Sequence, residues 1–335
     1  MRSTVKLGAR ILTMLLAVIL FVGVFATPAS AATRKNVKQY DTYMCIGDSI
    51  AAGFYMDGKT GGLYCERVTG AYHDIIANAT GAKLNQFGWS AFRAVELRYM
   101  LEGKRNEPDN VWLKSFPDLV NNELLDANHD DYIAAIKESS LITVNLGSND
   151  VLSYSMSKTL SLLTKSSDCQ IAKMAKDCMK KYGDIGTAFL KLVEKAEKAG
   201  KLPVVLASLN PTLMKAVSYF KANFNACMKD IYKLNPKATV VVVGVFNPLR
   251  NVSITDNGII KLAAAVQPTV DLLNTFLKYG CTSHSKYLFA SVPKVETWGM
   301  SLTNLDLTAF IRKVHPTAAG QSYMADRILA VLPKK

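Results

Sequence analysis

The sequence predicts an α/β fold: a three-layer α/β/α sandwich around a mainly parallel central sheet. Three observations point there. Short apolar runs alternate with stretches of helical spacing from Thr33 onward. The run 240–245 is strongly β-branched, as a buried strand is. The chain has 335 residues, 49% of them hydrophobic, so one large core is within reach, and disorder or a fibre is excluded.

The elements follow in order. Residues 40–46 read as a strand ending at Gly47. Residues 66–79 have helical spacing through Val68, Tyr72, Ile75 and Ile76. A short strand at 83–87 and a helix at 92–101 come next, then a strong strand at 141–146. A helix with outward charges spans 191–198, followed by a strand-like run at 202–206. The strand 240–245 stops at Asn247-Pro248. A long helix at 259–279, a strand at 286–291 and a terminal helix at 317–332 complete the pattern. The stretches 104–131 and 151–182 are polar and turn-rich, and read as insertions into one domain covering 32–335.

Residues 1–31 have the form of a cleaved export signal. Arg2, Lys6 and Arg10 precede an apolar run at 11–25, Pro28 breaks it, and Ala29-Ser30-Ala31 is a small-x-small cleavage site. The run is shorter than the roughly 20 apolar residues of a membrane span. Cleavage takes three cations from the formal +13 and leaves +10 on a secreted chain. Lys176, Lys180 and Lys181 cluster and suit an anionic cell-wall or polysaccharide partner, but no aromatic interleaving marks a nucleic-acid site. Six cysteines (Cys45, Cys65, Cys169, Cys178, Cys227, Cys281) in an exported chain predict disulfides, with Cys169 and Cys178 the nearest pair; Cys45, in an apolar run, also reads as a buried thiol. C-x-x-C and H-E-x-x-H are absent, so zinc is not expected.

Functional residues of open α/β sheets collect at the carboxyl ends of strands. The first strand runs into Gly47-Asp48-Ser49-Ile50, and the third into Gly147-Ser148-Asn149-Asp150; His315-Pro316 precedes the last helix. A serine hydroxyl becomes a useful nucleophile when an imidazole takes its proton. The oxyanion that follows needs fixed N–H donors, such as backbone amides and an Asn side chain. The four histidines include His73 on a helix, His129 in an acidic turn and His284 in a polar loop, and only His315 has the required position.

These blocks resemble the SGNH, or GDSL, hydrolase family, in order and over nearly the whole chain from Tyr43 to Met324. The resemblance implies an SGNH-hydrolase/flavodoxin-like sheet and a serine hydrolase that cleaves a carboxylic ester, either a lipid acyl ester or an O-acetyl group on a carbohydrate. It implies Ser49 as nucleophile and His315 as base. The Ser49 amide, Asn149, and either Gly88 or Ala91 would donate to the oxyanion, without metal or organic cofactor. A monomer without membrane insertion is expected.

Two positions depart from the family pattern. Arg312 stands where an Asp usually precedes the His, and an Arg side chain cannot accept the imidazole N–H. The Arg312 carbonyl, Asp306 or Glu296 is left to orient His315. The family glycine of the second block falls near Ala91, whereas the glycine present is Gly88. Arg312 also motivates an alternative: a non-catalytic wall-binding module that kept the fold.

Overall fold

Every strand of the central sheet runs the same way. Strands β1 (Thr42–Gly47), β2 (Lys83–Gly88), β3 (Leu141–Asn145), β4 (Thr239–Val243) and β5 (Leu288–Ala290) pair in parallel in the order β2-β1-β3-β4-β5. The computed structural model describes residues 34, 36–56, 67–103, 122–182, 184–250, 256–299 and 307–335. The proposed export signal, residues 1–31, lies outside them, as does 104–121 of the first predicted insertion.

Successive residues of a strand face opposite sides of the sheet, and each side has its own core here. Met44, Ile46, Ile142, Val144, Val240 and Val242 enter one. Tyr43, Cys45, Leu141, Val241 and Val243 enter the other. Strands covered on both faces need apolar residues at nearly every position, which is why these runs are visible in sequence.

The helices are, in chain order, α1 (Ser49–Ala52), α2 (Tyr72–Thr80), α3 (Ala94–Glu102), α4 (Asn122–Glu138), α5 (Ser148–Leu163), α6 (Cys169–Lys181), α7 (Ile185–Lys198), α8 (Leu202–Leu234), α9 (Asn257–Thr275), α10 (Leu307–Val314) and α11 (Ala318–Val331). Ile50 of α1, Tyr72 and Ile76 of α2, and Met324 and Ile328 of α11 cover the second face. Residues of α3 through α9 belong to the first core.

Three expectations are corrected. The run 202–206 is not a strand but the first turn of the 33-residue α8. Pro203 in that first turn suits a helix start. Val205, Leu209, Leu213, Ala216, Phe220, Phe224, Cys227 and Ile231 then repeat at helical spacing down one buried face; that long period outweighs two β-branched residues. The stretch 151–182 is not turn-rich either, since α5 and α6 occupy most of it. Asp168 caps α6 through the Gln170 and Ile171 amides at 3.1 and 3.2 Å, and Ile171, Ala175 and Cys178 form its buried stripe. Lys176, Lys180 and Lys181 occupy the exposed side.

The disulfide expectation also fails among the described residues, where Cys45, Cys169, Cys178, Cys227 and Cys281 are free thiols. Cys169 and Cys178 sit on one helix nine residues apart, which separates them by about 13 Å of helical rise. A disulfide holds its Cα atoms within about 7 Å. Cys45 is the buried thiol of the other reading, at 3.3 Å from the Tyr72 hydroxyl.

Asn235, between α8 and β4, ties three elements together. Its Nδ2 donates to the carbonyls of Ile136 and Ser139 at 2.7 and 2.8 Å, and its Oδ1 accepts from the Lys237 and Ala238 amides at 3.2 and 3.1 Å. Asn235→Ala leaves these buried groups without partners. The expected loss is about 3 kcal/mol, read as a lower urea midpoint at unchanged m-value; an unaltered midpoint would contradict this role.

Candidate active site

The strand order reverses direction between β1 and β3, and a doubly wound sheet opens a crevice at such a switch point. Both strands end there. A Cβ on Gly47 would lie 2.5 Å from the Ala51 Cβ and 2.8 Å from the Asn145 carbonyl oxygen, so only glycine lets the chain turn flush against β3. Asp48 then caps α1, its Oδ1 accepting from the Ile50 amide at 2.9 Å, and Ser49 is the first residue of the helix. Just beyond the neighbouring strand, Gly147 takes a φ of 123°, where an L side chain is strained, and leads into α5. The sequence blocks around Ser49 and Asn149 thus become neighbours.

His315 arrives from the opposite end of the chain. The last turn of a helix leaves carbonyls without intrahelical donors, and His315 follows the last residue of α10. Its Nδ1 bonds the Ile311 carbonyl, four residues back. A carbonyl only accepts, so Nδ1 carries the proton and Nε2 keeps its lone pair. Nε2 lies 2.7 Å from Ser49 Oγ, whose hydroxyl donates to it. The imidazole is buried, with the rings of Phe54 and Tyr55 centred 5.4 and 6.0 Å away. Burial pushes its pKa down to about 4, opposed by the Ile311 bond. The negative end of the α10 dipole favours an imidazolium at this position.

Two of the expected orienting groups, the Arg312 carbonyl and Glu296, have other partners. The Arg312 carbonyl accepts the backbone N–H of His315 at 3.4 Å, not the ring, because the ring reaches back a full turn to residue 311. Glu296 is occupied by the Thr317 hydroxyl at 2.8 Å, and its carbonyl accepts from the Thr317 amide at 3.0 Å. Asp306 lies outside the described residues. The other histidines are elsewhere: His73 is buried on α2, His129 belongs to α4, and His284 bonds the Cys281 carbonyl at 2.9 Å.

Asn149 donates through Nδ2 to Asp48 Oδ2 at 3.2 Å and to the Phe92 carbonyl at 3.3 Å. Its neighbour Asp150 accepts from the Ala94 amide at 3.0 Å and so caps α3. Together they clamp the β2–α3 loop, with Gly88 and Ala91, against α5. Gly88 ends β2 in register with Gly47. Ala91 has a φ of 67°, the left-handed conformation that glycine prefers. Beside it the Glu96 carboxylate accepts from the Arg93 amide at 2.9 Å and pairs with the Arg93 guanidinium, both side chains buried. Burial raises Asp48 and Asp150 to about 7. The Ile50 amide opposes the shift at Asp48, and the Arg93 charge opposes it at Asp150.

Two contributors escaped sequence reasoning. A main-chain carbonyl such as that of Ile311 leaves no residue-type signal. Gln321 is fully buried; its Oε1 accepts from the Tyr72 amide at 3.2 Å, and its Nε2 donates to the Ile50 carbonyl at 3.0 Å. It thereby locks α11 to α1 and α2. Its only sequence signal is its spacing from Met324 and Ile328 on the buried face of α11.

An apolar cavity extends inward from Ser49, Asn149 and His315, walled by α5, α7, α8 and α9. Among the described residues no group of three or more His, Cys, Asp or Glu side chains is placed to hold a metal ion, and no helix is long and apolar enough to cross a membrane.

Among solved structures, an extracellular lipase from Streptomyces rimosus is similar, with a TM-score of 0.51 at 18% identity over 88% of this chain and 100% of that one. A phospholipase A1 from Streptomyces albidoflavus reaches 0.49 at 16% identity over 88% and 100%. A lipase from a goat rumen metagenome reaches 0.44 at 16% identity over 87% and 97%. The first of these supports the fold. No curated protein matches the chain. The description of the GDSL-like lipase/acylhydrolase family matches residues 43–328, most of the sequence. By that match the chain belongs to the GDSL-like lipase/acylhydrolase family and is a carboxylic ester hydrolase.

Proposed function

We propose that this is a secreted esterase working through a Ser49–His315 dyad and an acyl-enzyme on Ser49. The observation that carries the reading is the 2.7 Å contact between Ser49 Oγ and a His315 Nε2 whose tautomer the Ile311 carbonyl selects. Ser49 Oγ attacks the ester carbonyl while Nε2 takes its proton, and the imidazolium then gives that proton to the leaving alkoxide. Water repeats the sequence on the acyl-enzyme and frees the acid. Among the described residues no carboxylate pairs with the imidazole ring, and the carboxyl end of α10 supplies negative potential for the imidazolium. Arg312 therefore gives no reason to prefer a non-catalytic module.

The developing oxyanion takes hydrogen bonds from the Ser49 amide, the Asn149 side chain and the Ala91 amide. Ala91 is favoured over Gly88 because Ala91 carries the left-handed backbone expected of the family glycine, whereas Gly88 belongs to β2. Asn149 gives up its 3.3 Å bond to the Phe92 carbonyl and keeps Asp48 as its anchor. A lipid acyl ester and an O-acetyl glycan both suit this chemistry. Secretion rests on the signal pattern of residues 1–31, with 32–335 as the mature catalytic domain; amino-terminal sequencing of the exported protein should begin at Ala32.

Ser49→Ala should lower kcat/KM on 4-nitrophenyl butyrate by about a thousandfold or more with folding intact, and unchanged turnover would sink the serine mechanism. The base works only when neutral. Its pKa of about 4 therefore places the acid limb of kcat/KM near pH 4, below the ordinary imidazole range. A limb at pH 6.5 would contradict the buried imidazole. Ala91→Gly relieves about 1–2 kcal/mol of left-handed strain and costs about 0.4–1 kcal/mol of unfolded-chain entropy. A small rise in melting temperature with activity retained is expected; loss of stability would contradict the strained loop.

A further inference from the structure

The helices around the site decline to fill the space beside Ser49. Leu152 and Met156 of α5, Phe189 of α7, Leu213 of α8, and Val266 and Leu273 of α9 line it. Its titratable residues are Asp48 and His315, both at the mouth; deeper in, Ser155 and Thr269 are the polar residues in an otherwise apolar wall. An unfilled apolar space costs stability, and such a cavity takes an apolar ligand rather than water. A sugar has hydroxyls to satisfy and finds almost no partners in this wall.

We propose that this cavity holds the acyl chain of the substrate, so that the enzyme hydrolyses medium-chain acyl esters rather than O-acetyl groups. The proposal rests on Ser49 as nucleophile. The acyl half stays on Ser49 between the two steps while the alcohol must leave, so an inward cavity suits the half that remains attached. Its depth follows α5: from Asn149 to Met156 is seven residues, about 10 Å of rise. Three residues beyond Met156 on α5, the Thr159 hydroxyl bonds that of Thr212 at 2.8 Å, pinning α5 to α8 beside Leu213. Leu213 therefore limits chain length.

The test is a series of 4-nitrophenyl esters from acetate through butyrate and octanoate to palmitate, assayed on the full chain. Each methylene buried is worth about fourfold. We expect kcat/KM to rise at least a hundredfold from acetate to octanoate and to gain nothing further at palmitate. Leu213→Trp should cut the octanoate-to-acetate ratio at least tenfold, and Leu213→Ala should move the optimum to longer chains. Opposite shifts at one position cannot arise from misfolding. Acetate matching octanoate, or a profile indifferent to both substitutions, overturns the acyl cavity while a fluorophosphonate probe still labels Ser49. Failure of that probe to label Ser49 overturns the mechanism beneath the proposal, and the proposal with it.

Discussion

The parallel pairing of β1 with β3 is the constraint on which the rest of the site depends. Its register sets Gly47 against Asn145, so two segments a hundred residues apart leave the sheet side by side. Each must then change direction at once, and each does so with a glycine: Gly47 by close approach to Asn145 and Ala51, Gly147 by its positive φ. Ser49 and Asn149 sit at the first turns of helices as a result, near amides that those turns leave free. A slip of one residue would turn the side chains of one strand to the opposite face and separate Asn149 from Asp48.

Around the mouth of the cavity lies a network of buried polar groups that limits its own charge. Burial moves Asp48 and Asp150 toward neutrality near pH 7 and holds His315 neutral well below it. Arg93 and Glu96 pair with one another. The acids also hold the backbone in place, since Asp48 caps α1, Asp150 caps α3, and Glu96 holds the Arg93 amide. The same bonds that satisfy buried atoms therefore position Asn149 and the β2–α3 loop, so the site is stiff without added scaffolding.

The legible parts of the fold share one property: a period or a block that a chain segment carries by itself. Strands β1, β3 and β4 show as apolar runs because both their faces are buried. α9 and α11 show as amphipathic stretches. The start of α8 reads as a strand because Val204-Val205-Leu206 resembles one until the turns that follow are counted. α5 and α6 read as loops because serines and lysines break their short stripes. A cysteine count predicts disulfides but contains no distances; a single helix holds Cys169 and Cys178 apart.

The sequence by itself determined the α/β class, the family, and the three blocks that bring Ser49, Asn149 and His315 together. These depend on residue type at a local position: glycine at a turn, a hydroxyl at a strand end, an imidazole before a helix. Only the tertiary structure decided what surrounds them. The acceptor for His315 is a main-chain carbonyl, and every residue has one, so no residue type could announce Ile311. The left-handed backbone of Ala91 is imposed by the clamp between α3 and α5, against alanine's own preference. The cavity belongs to no segment, since it is the space that α5, α7, α8 and α9 leave between them, and its shape follows from their packing.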